Sequence, residues 1–400
     1  MKKHKGRDWL DWVGFAAFAA LVLVVLVAHT LAQPALAPED MLQLGMPRGL
    51  VYDSAAAFKV YVALDGDDAA PGLSPGRPVA TLARAHEILS ALRPKRNVEI
   101  RIAPGRYAQR EPVVWTYWHP VYRMSLMPLD YRGEPAEEIK DRPVFVGDLT
   151  RDDGWWFDLE VKGGHASNVR IYGIEIRDYL NGIVLRGRKP DQPAYPDGWS
   201  GGNVIYGCRF VGLGNLYRRG HEGGPMVSWG RAAISLVNSR NNIIEDCTFE
   251  RLENIEPERV YVHAIYMLHG SSGNMIRRCA FRHVSGAPLK FSNASNANYV
   301  VDCVFEATGW REGGRVYGAL AADAPCGWPD NMASWCNVLR GCRVEGGQLR
   351  EGERTSCFEH GGAIPAGQTD YGEVGWERFI EEGGGPTTRR SGALSSCGGR

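Results

Sequence analysis

The chain has 400 residues, and its 46 Lys and Arg balance 46 Asp and Glu, so the formal net charge at pH 7 is zero. This balance argues against nucleic acid as the main partner, because phosphate binding needs a surplus or a stripe of basic side chains. An acidic polysaccharide stays open as a partner, since a few local cations are enough to bind it. The length exceeds that of an ordinary compact domain, whereas a solenoid grows by adding repeats that contact only their neighbours.

Residues 1–32 have the composition of a targeting segment. Basic residues come first, at Lys2, Lys3, Lys5 and Arg7, and an uncharged apolar run then extends from Val13 to Ala28. The run is long for a signal peptide and short for a membrane span. We therefore predict either a cleaved signal peptide or an uncleaved single-pass membrane anchor. Both place the rest of the chain outside the cytoplasm, whether secreted, periplasmic or anchored.

Residues 33–57 are predicted to be a linker, and the first strands and one helix are predicted between 58 and 110. A strand around Tyr61 leads into a turn rich in Gly and Asp, and a helix is expected over about 78–92. Its apolar stripe is formed by Val79, Leu82, Ala83, His86, Ile88 and Leu89. A second strand over 98–102 follows the helix.

A short motif then recurs, in which a cysteine follows an asparagine by five positions. The copies begin at Asn203, Asn242, Asn274, Asn298 and Asn337. A phenylalanine lies two positions after the cysteine in the first four copies, and a variant copy begins at Asn168 with Ile174 in the cysteine's place. Alternating apolar stretches precede several copies. Each repeat is therefore predicted to form three short strands, stacked as about five or six coils.

The repeated cysteines are Cys208, Cys247, Cys279, Cys303 and Cys342. Stacked strands hold equivalent atoms about 4.8 Å apart with parallel side chains, whereas a disulfide needs Cβ atoms about 3.8 Å apart that turn towards each other. We predict five small buried packing residues without disulfides. The other cysteines lie outside the repeat and are free to pair, at Cys326, Cys336, Cys357 and Cys397.

Residues 58–110 and the repeats over 157–344 together resemble the pectate-lyase-like superfamily. The resemblance implies an all-β chain, a right-handed parallel β-helix solenoid over 58–345 whose N-terminal helix caps the first coil. It also implies a protein that handles polysaccharides, although the superfamily includes lyases, hydrolases, epimerases and proteins without chemistry. Residues 346–400 are predicted to be a C-terminal extension, partly disordered because its end is rich in Gly, Ser and Arg.

The alternation before each motif predicts which side chains point outward. The inward set is Leu159, Ile183, Ile234, Ile265 and Leu289, and the outward set is Glu160, Val184, Ser235, Tyr266 and Lys290. Tyr266 and Lys290 are 24 residues apart (290 − 266), which is one coil. They are therefore expected side by side on adjacent coils.

In lyases with this fold, the glycan lies along this outer face and a uronate residue is cleaved by β-elimination. The reaction needs a base for the C5 proton, an acid for the leaving oxygen and a group that neutralises the carboxylate. We predict Lys290 and Tyr266 as catalytic residues, with His263 as the rival base. The predicted substrate-binding residues are Arg186, Arg282, His269, Asn293 and Glu160. Many relatives use calcium held by carboxylates, but only Glu160 clearly qualifies here, so no metal site and no cofactor are predicted, and calcium alone stays open as an alternative.

Three other functions stay open. A C5-epimerase begins with the same proton abstraction. A glycoside hydrolase needs two carboxylates, for which Glu160 with a loop acid such as Glu222 is the choice. A glycan-binding or structural protein would present aromatic side chains to sugar rings, and the tryptophans considered for this are Trp115, Trp118, Trp155, Trp156, Trp199 and Trp229.

Overall fold

The computed structural model describes residues 56–108, 113–147, 154–161, 164–188, 198–215, 230–254, 262–309, 320–322, 334 and 337–345. The predicted targeting segment 1–32, most of the linker and the extension 346–400 lie outside these residues. Within the described part, no helix is long and apolar enough to cross a membrane.

The chain is a parallel β-helix, built from three parallel sheets. Sheet A contains β1 (Phe58–Val62), β2 (Val98–Ile102), β5 (Met124–Pro128), β8 (Val169–Tyr172), β12 (Val204–Tyr206), β16 (Ile243–Glu245), β19 (Met275–Arg277), β22 (Tyr299–Val301) and β25 (Val338–Arg340). Sheet B contains β3 (Gly105–Ala108), β6 (Pro143–Val146), β9 (Glu175–Arg177), β13 (Arg209–Val211), β17 (Thr248–Leu252), β20 (Ala280–Val284), β23 (Val304–Glu306) and β26 (Arg343–Glu345). Sheet C contains β4 (Val113–Trp115), β7 (Trp155–Glu160), β10 (Asn181–Arg186), β14 (Ala232–Val237), β18 (His263–Leu268), β21 (Leu289–Phe291) and β24 (Leu320–Ala322). Two short strands, β11 (Ser200–Gly201) and β15 (Ser239–Arg240), pair in the turns after sheet C.

Each complete coil contributes one strand to each sheet. Sheet C has seven strands, so the described residues form seven complete coils, with β1 before them and β25 and β26 after them. The expected number of five or six coils was too low. The first two coils carry neither the asparagine nor the cysteine of the motif, and they fill the core with residues such as Leu126 and Phe145 instead.

The repeated asparagines form one continuous ladder of buried amides. The Nδ2 group of Asn203 donates to Oδ1 of Asn242 at 2.9 Å, and Asn242 donates in the same way to Asn274 at 2.7 Å. The ladder continues through Asn298 to Asn337, with both distances 2.9 Å. From Asn242 onward, each Oδ1 also accepts the backbone N–H of the preceding asparagine, and Oδ1 of Asn203 accepts the backbone N–H of Val169. The motif therefore repeats because each buried amide needs its neighbour as a partner.

The cysteines and phenylalanines of the motif form two further ladders in the core. All five cysteines are buried and free, as predicted. The rings of Phe210, Phe249, Phe281 and Phe305 stack with centroids 4.9, 5.0 and 4.7 Å apart. The four unrepeated cysteines lie outside the described residues.

The helix of the N-terminal part, α1, spans Leu82–Leu92 and begins four residues later than predicted. The side chain of Thr81 accepts the N–H of Arg84 as the N-cap. Val79 cannot belong to the helix because its backbone hydrogen-bonds with Tyr61 and Ala63, in a parallel bridge beside β1. The buried face consists of Leu82, Ala85, Ile88 and Leu89, whereas the predicted Ala83 is exposed. Its role as a cap of the first coil stays a prediction. A short 3₁₀ helix follows later, over Ala136–Glu138.

Candidate functional site

The outer face of sheet C carries one row of side chains in register across six strands. Hydrogen-bonded neighbours in this row are Val114, Asp158, Val184, Ser235, Tyr266 and Lys290. The predicted inward residues, from Leu159 to Leu289, are fully buried, so the alternation is confirmed. Tyr266 and Lys290 are direct register partners on β18 and β21, as the spacing of one coil predicted.

The prediction placed one strand of this sheet wrongly. It set Glu160 beside Val184, but the structure pairs Val184 with Asp158 and places Glu160 beside Arg186. Both Phe157 and Leu159 point inward, so a shift of two residues preserves the alternation and cannot be detected from it. Asp158 was missed for this reason.

His263, Tyr266 and Lys290 lie together at one end of this row. The Nζ atom of Lys290 lies 5.2 Å from the centroid of the Tyr266 ring, within the range of a cation–π contact. The rings of His263 and Tyr266 are tilted at 56°, with centroids 5.2 Å apart. Tyr266 and Lys290 are half-buried, and His263 is buried. The structure thus brings together the three side chains predicted to be catalytic.

His263 is held as an uncharged imidazole. Its Nδ1 lies 2.7 Å from the carbonyl oxygen of Ala287, which only accepts, so Nδ1 carries the proton. Burial, and then the nearby positive charge of Lys290, lower the pKa of His263 to about 3. A base of such low pKa has little driving force to take a carbon-bound proton. This weakens the case for His263 as the base.

Arg186 lies further along the outer face and is held by Asp158. The Nε group of Arg186 donates to Oδ1 of Asp158 at 2.8 Å, and its Nη2 group donates to Oδ2. Asp158 is 10% exposed and Arg186 38% exposed at the side chain. Burial lowers the pKa of Arg186. The predicted carboxylate-binding arginine therefore already has a carboxylate partner within the protein.

The turns after β18 and β21 bring two other predicted residues together. Asn293 donates from Nδ2 to Nδ1 of His269 at 3.3 Å, and both residues have positive φ angles of 51° and 54°. Oδ1 of Asn293 is buried and accepts no hydrogen bond within the described residues. These two side chains therefore border the outer face of sheet C at adjacent coils.

Arg282 does not join this group. It lies on β20 in sheet B, where its Nε group donates to Oε2 of Glu306 at 2.9 Å. A strand that precedes the turn into sheet C presents its outward side chains on a different face of the coil. The alternation does not reveal which sheet a strand joins, because sheets B and C carry the same pattern.

The remaining candidates are distributed as follows. Trp115 and Trp156 are fully buried in the core and present no ring to a ligand, whereas Trp118 is half-buried and its ring lies 6.2 Å from that of the exposed His165. Glu222 and Trp229 lie outside the described residues. In the described part of the chain, no group of three or more His, Cys, Asp or Glu side chains is arranged to hold a metal ion.

No known protein family matches the sequence, and no curated protein matches it. Solved structures of similar fold include an alginate lyase from Paenibacillus sp. str. FPU-7, which is 14% identical, with 65% of this chain and 74% of that chain covered and a TM-score of 0.44. Pectate lyase Pel9A is 10% identical, with coverages of 72% and 63% and a TM-score of 0.48. A rhamnogalacturonan lyase is 13% identical, with coverages of 74% and 84% and a TM-score of 0.37. Likenesses at this level concern the fold alone.

Proposed function

We propose that this chain is an exported lyase that cleaves a uronate-containing glycan by β-elimination on the outer face of sheet C. The observation that carries the proposal is the cluster of Lys290, Tyr266 and His263. It joins a cation, a phenol and an uncharged imidazole within about one strand spacing of each other on a solvent-facing sheet.

Each side chain has a separate role in this proposal. Lys290 pairs with the carboxylate of the uronate residue, which makes the C5 proton more acidic because the enolate that forms is stabilised. Tyr266 exchanges protons with the sugar, since a phenol is able to accept or donate one. His263 stays uncharged at neutral pH because of its low pKa and contributes no competing positive charge.

The reaction balances without water. Tyr266, as its phenolate, takes the C5 proton, the electron pair of the broken C–H bond forms the C4–C5 double bond, and the C4–O bond breaks while Tyr266 returns the proton to the leaving oxygen. The leaving oxygen takes a proton, so one chain ends in an unsaturated uronate and the other in a new reducing end. A C5-epimerase would remove the same proton and return it to the opposite face, with no double bond.

The test is the appearance of unsaturated uronate, followed by its ultraviolet absorbance. Residues 33–400 are incubated with polygalacturonate, alginate, hyaluronan and chondroitin sulfate. We expect turnover on at least one polymer, and Tyr266→Phe is expected to lower kcat by about 10²–10⁴-fold, the usual loss for an acid–base group. Circular dichroism of the variant should match that of the parent, because the Tyr266 side chain is half-buried and points outward.

Two outcomes would contradict the proposal. Binding without turnover on every polymer would indicate a glycan-binding protein. Hydrolytic products without a double bond would indicate a glycoside hydrolase, and the carboxylates Asp158 and Glu160 would then be the pair to substitute.

A further inference from the structure

The ion pair of Asp158 and Arg186 has no role in the chemistry proposed above, although it lies on the same outer face. Lys290 lies on β21 and Arg186 on β10, with β14 and β18 between them. Three strand spacings, about 14 Å, separate the two strands, and Arg186 lies two residues further along its strand than Val184, the position in register with Lys290. A ligand that contacts both is therefore longer than one monosaccharide.

The outward positions between the two ends carry apolar or small side chains. Val237 on β14 and Leu268 on β18 are in register with Arg186 and are half-buried, whereas Ser235 on β14 is in register with Tyr266 and is 4% exposed. The longer side chains of Tyr266 and Lys290 stand at one end, and those of Asp158 and Arg186 stand at the other. The face therefore offers a shallow floor along which an extended chain can lie.

The polar groups at the Arg186 end are partly unused. A guanidinium has five N–H donors, and Asp158 accepts two of them, from Nε and Nη2. Within the described residues, these two are the only hydrogen bonds of the Arg186 side chain, and that side chain is 38% exposed. The donors that face solvent are thus available to a ligand.

We infer that Asp158 and Arg186 form a second subsite for the same glycan, and that this subsite binds sugar hydroxyls rather than a carboxylate. The pair is neutral as a whole, so it does not attract a second anion as a lone arginine would. Its arginine donates hydrogen bonds and its aspartate accepts them, which is the combination that hydroxyl groups require. The inference rests on the proposed function, because it assumes that the glycan is bound at Lys290.

The subsite predicts a dependence on chain length. Only oligosaccharides long enough to span about 14 Å reach both ends, so only these gain affinity from the subsite. A neutral or methyl-esterified sugar unit at the Arg186 end should be tolerated, whereas one at the Lys290 end should not.

The experiment compares kcat/KM for short and long oligomers of galacturonate and of mannuronate and guluronate. The variants are Asp158→Asn and Arg186→Lys, and the matched control is Glu175→Gln. Glu175 pairs with Arg177 on sheet B, with side-chain exposures of 13% and 29%, close to those of the Asp158–Arg186 pair. We expect the ratio of long to short to fall about tenfold in both test variants, the effect of losing one charge-assisted hydrogen bond, and to stay unchanged in the control.

An unchanged ratio in both test variants, with active wild-type protein, would overturn this inference and leave the proposed function standing. Should Asp158→Asn fail to fold, Arg186→Lys decides alone, since its side chain is the more exposed. Wild-type protein without turnover on any of the polymers would overturn the proposed function itself, and the subsite with it.

Discussion

At the scale of single residues, His263 shows how the fold changes the chemistry of a side chain. Its ring is buried, hydrogen-bonded to Ala287 and close to Lys290, and its pKa falls from 6.5 to about 3. In the unfolded chain the same imidazole takes a proton near pH 6.5. Between these two values the unfolded state binds more protons, so stability decreases as the pH falls from 6.5 towards 3.

This difference gives a prediction for His263→Gln. At pH 5 the wild-type protein should have lost about 2 kcal/mol of unfolding free energy through this one group, relative to pH 7. The variant lacks the group, so its stability should fall by about that much less over the same interval. Chemical denaturation at both pH values measures the two differences. Parallel pH profiles of the two proteins would show that His263 titrates normally.

The sequence predicted which residues cluster at Lys290 better than it predicted their surroundings. Tyr266 and Lys290 came from the spacing of one coil, and His263 from its position three residues before Tyr266. Asp158 and the sheet of Arg282 were missed. An alternating pattern fixes which side chains point outward, but it determines neither a shift of two residues nor which of three sheets a strand joins.

At the scale of elements, the asparagine ladder explains why the coils stay in register. Asn274 has partners on both sides, because its Oδ1 accepts from the backbone and side chain of Asn242 and its Nδ2 donates to Asn298. The sequence predicted this repeat and its spacing, since each coil needs the same polar group at the same bend. It did not predict the coils that precede the motif.

Asn274→Ala should therefore lower the unfolding free energy by about 3 kcal/mol, because it leaves two buried donors of Asn242 without an acceptor. Asn337→Ala is the matched control at the end of the described ladder, where the residue is only half-buried. Its loss should be smaller, since the hydrogen bonds that Asn337 accepts from Asn298 are only part-buried and water can replace the lost acceptor. Urea denaturation of both variants measures the difference. Equal losses at the two positions would contradict a ladder that is stabilised from its interior.

At the scale of the whole molecule, each of the three sheets carries a different array of side chains. Sheet A carries the asparagine ladder at its edge and sheet B stacks phenylalanines inward, whereas sheet C carries the cluster of Lys290, Tyr266 and His263. A solenoid suits this arrangement, because each coil adds the same outward position at a fixed spacing. A long, linear ligand is the kind that such a surface accommodates.

The most direct test of the account asks which face of the solenoid carries the reaction. It compares the rate of unsaturated-uronate formation by Lys290→Ala, on sheet C, with that of Arg282→Ala, on sheet B, using the polymer that the wild-type protein cleaves. Both side chains are outward cations of one coil, and both substitutions should leave stability within about 0.5 kcal/mol. We expect a loss of at least about 10²-fold for Lys290→Ala, because it removes the charge that stabilises the enolate, and a rate close to wild type for Arg282→Ala. The reverse order, or full activity in both variants, would contradict the account.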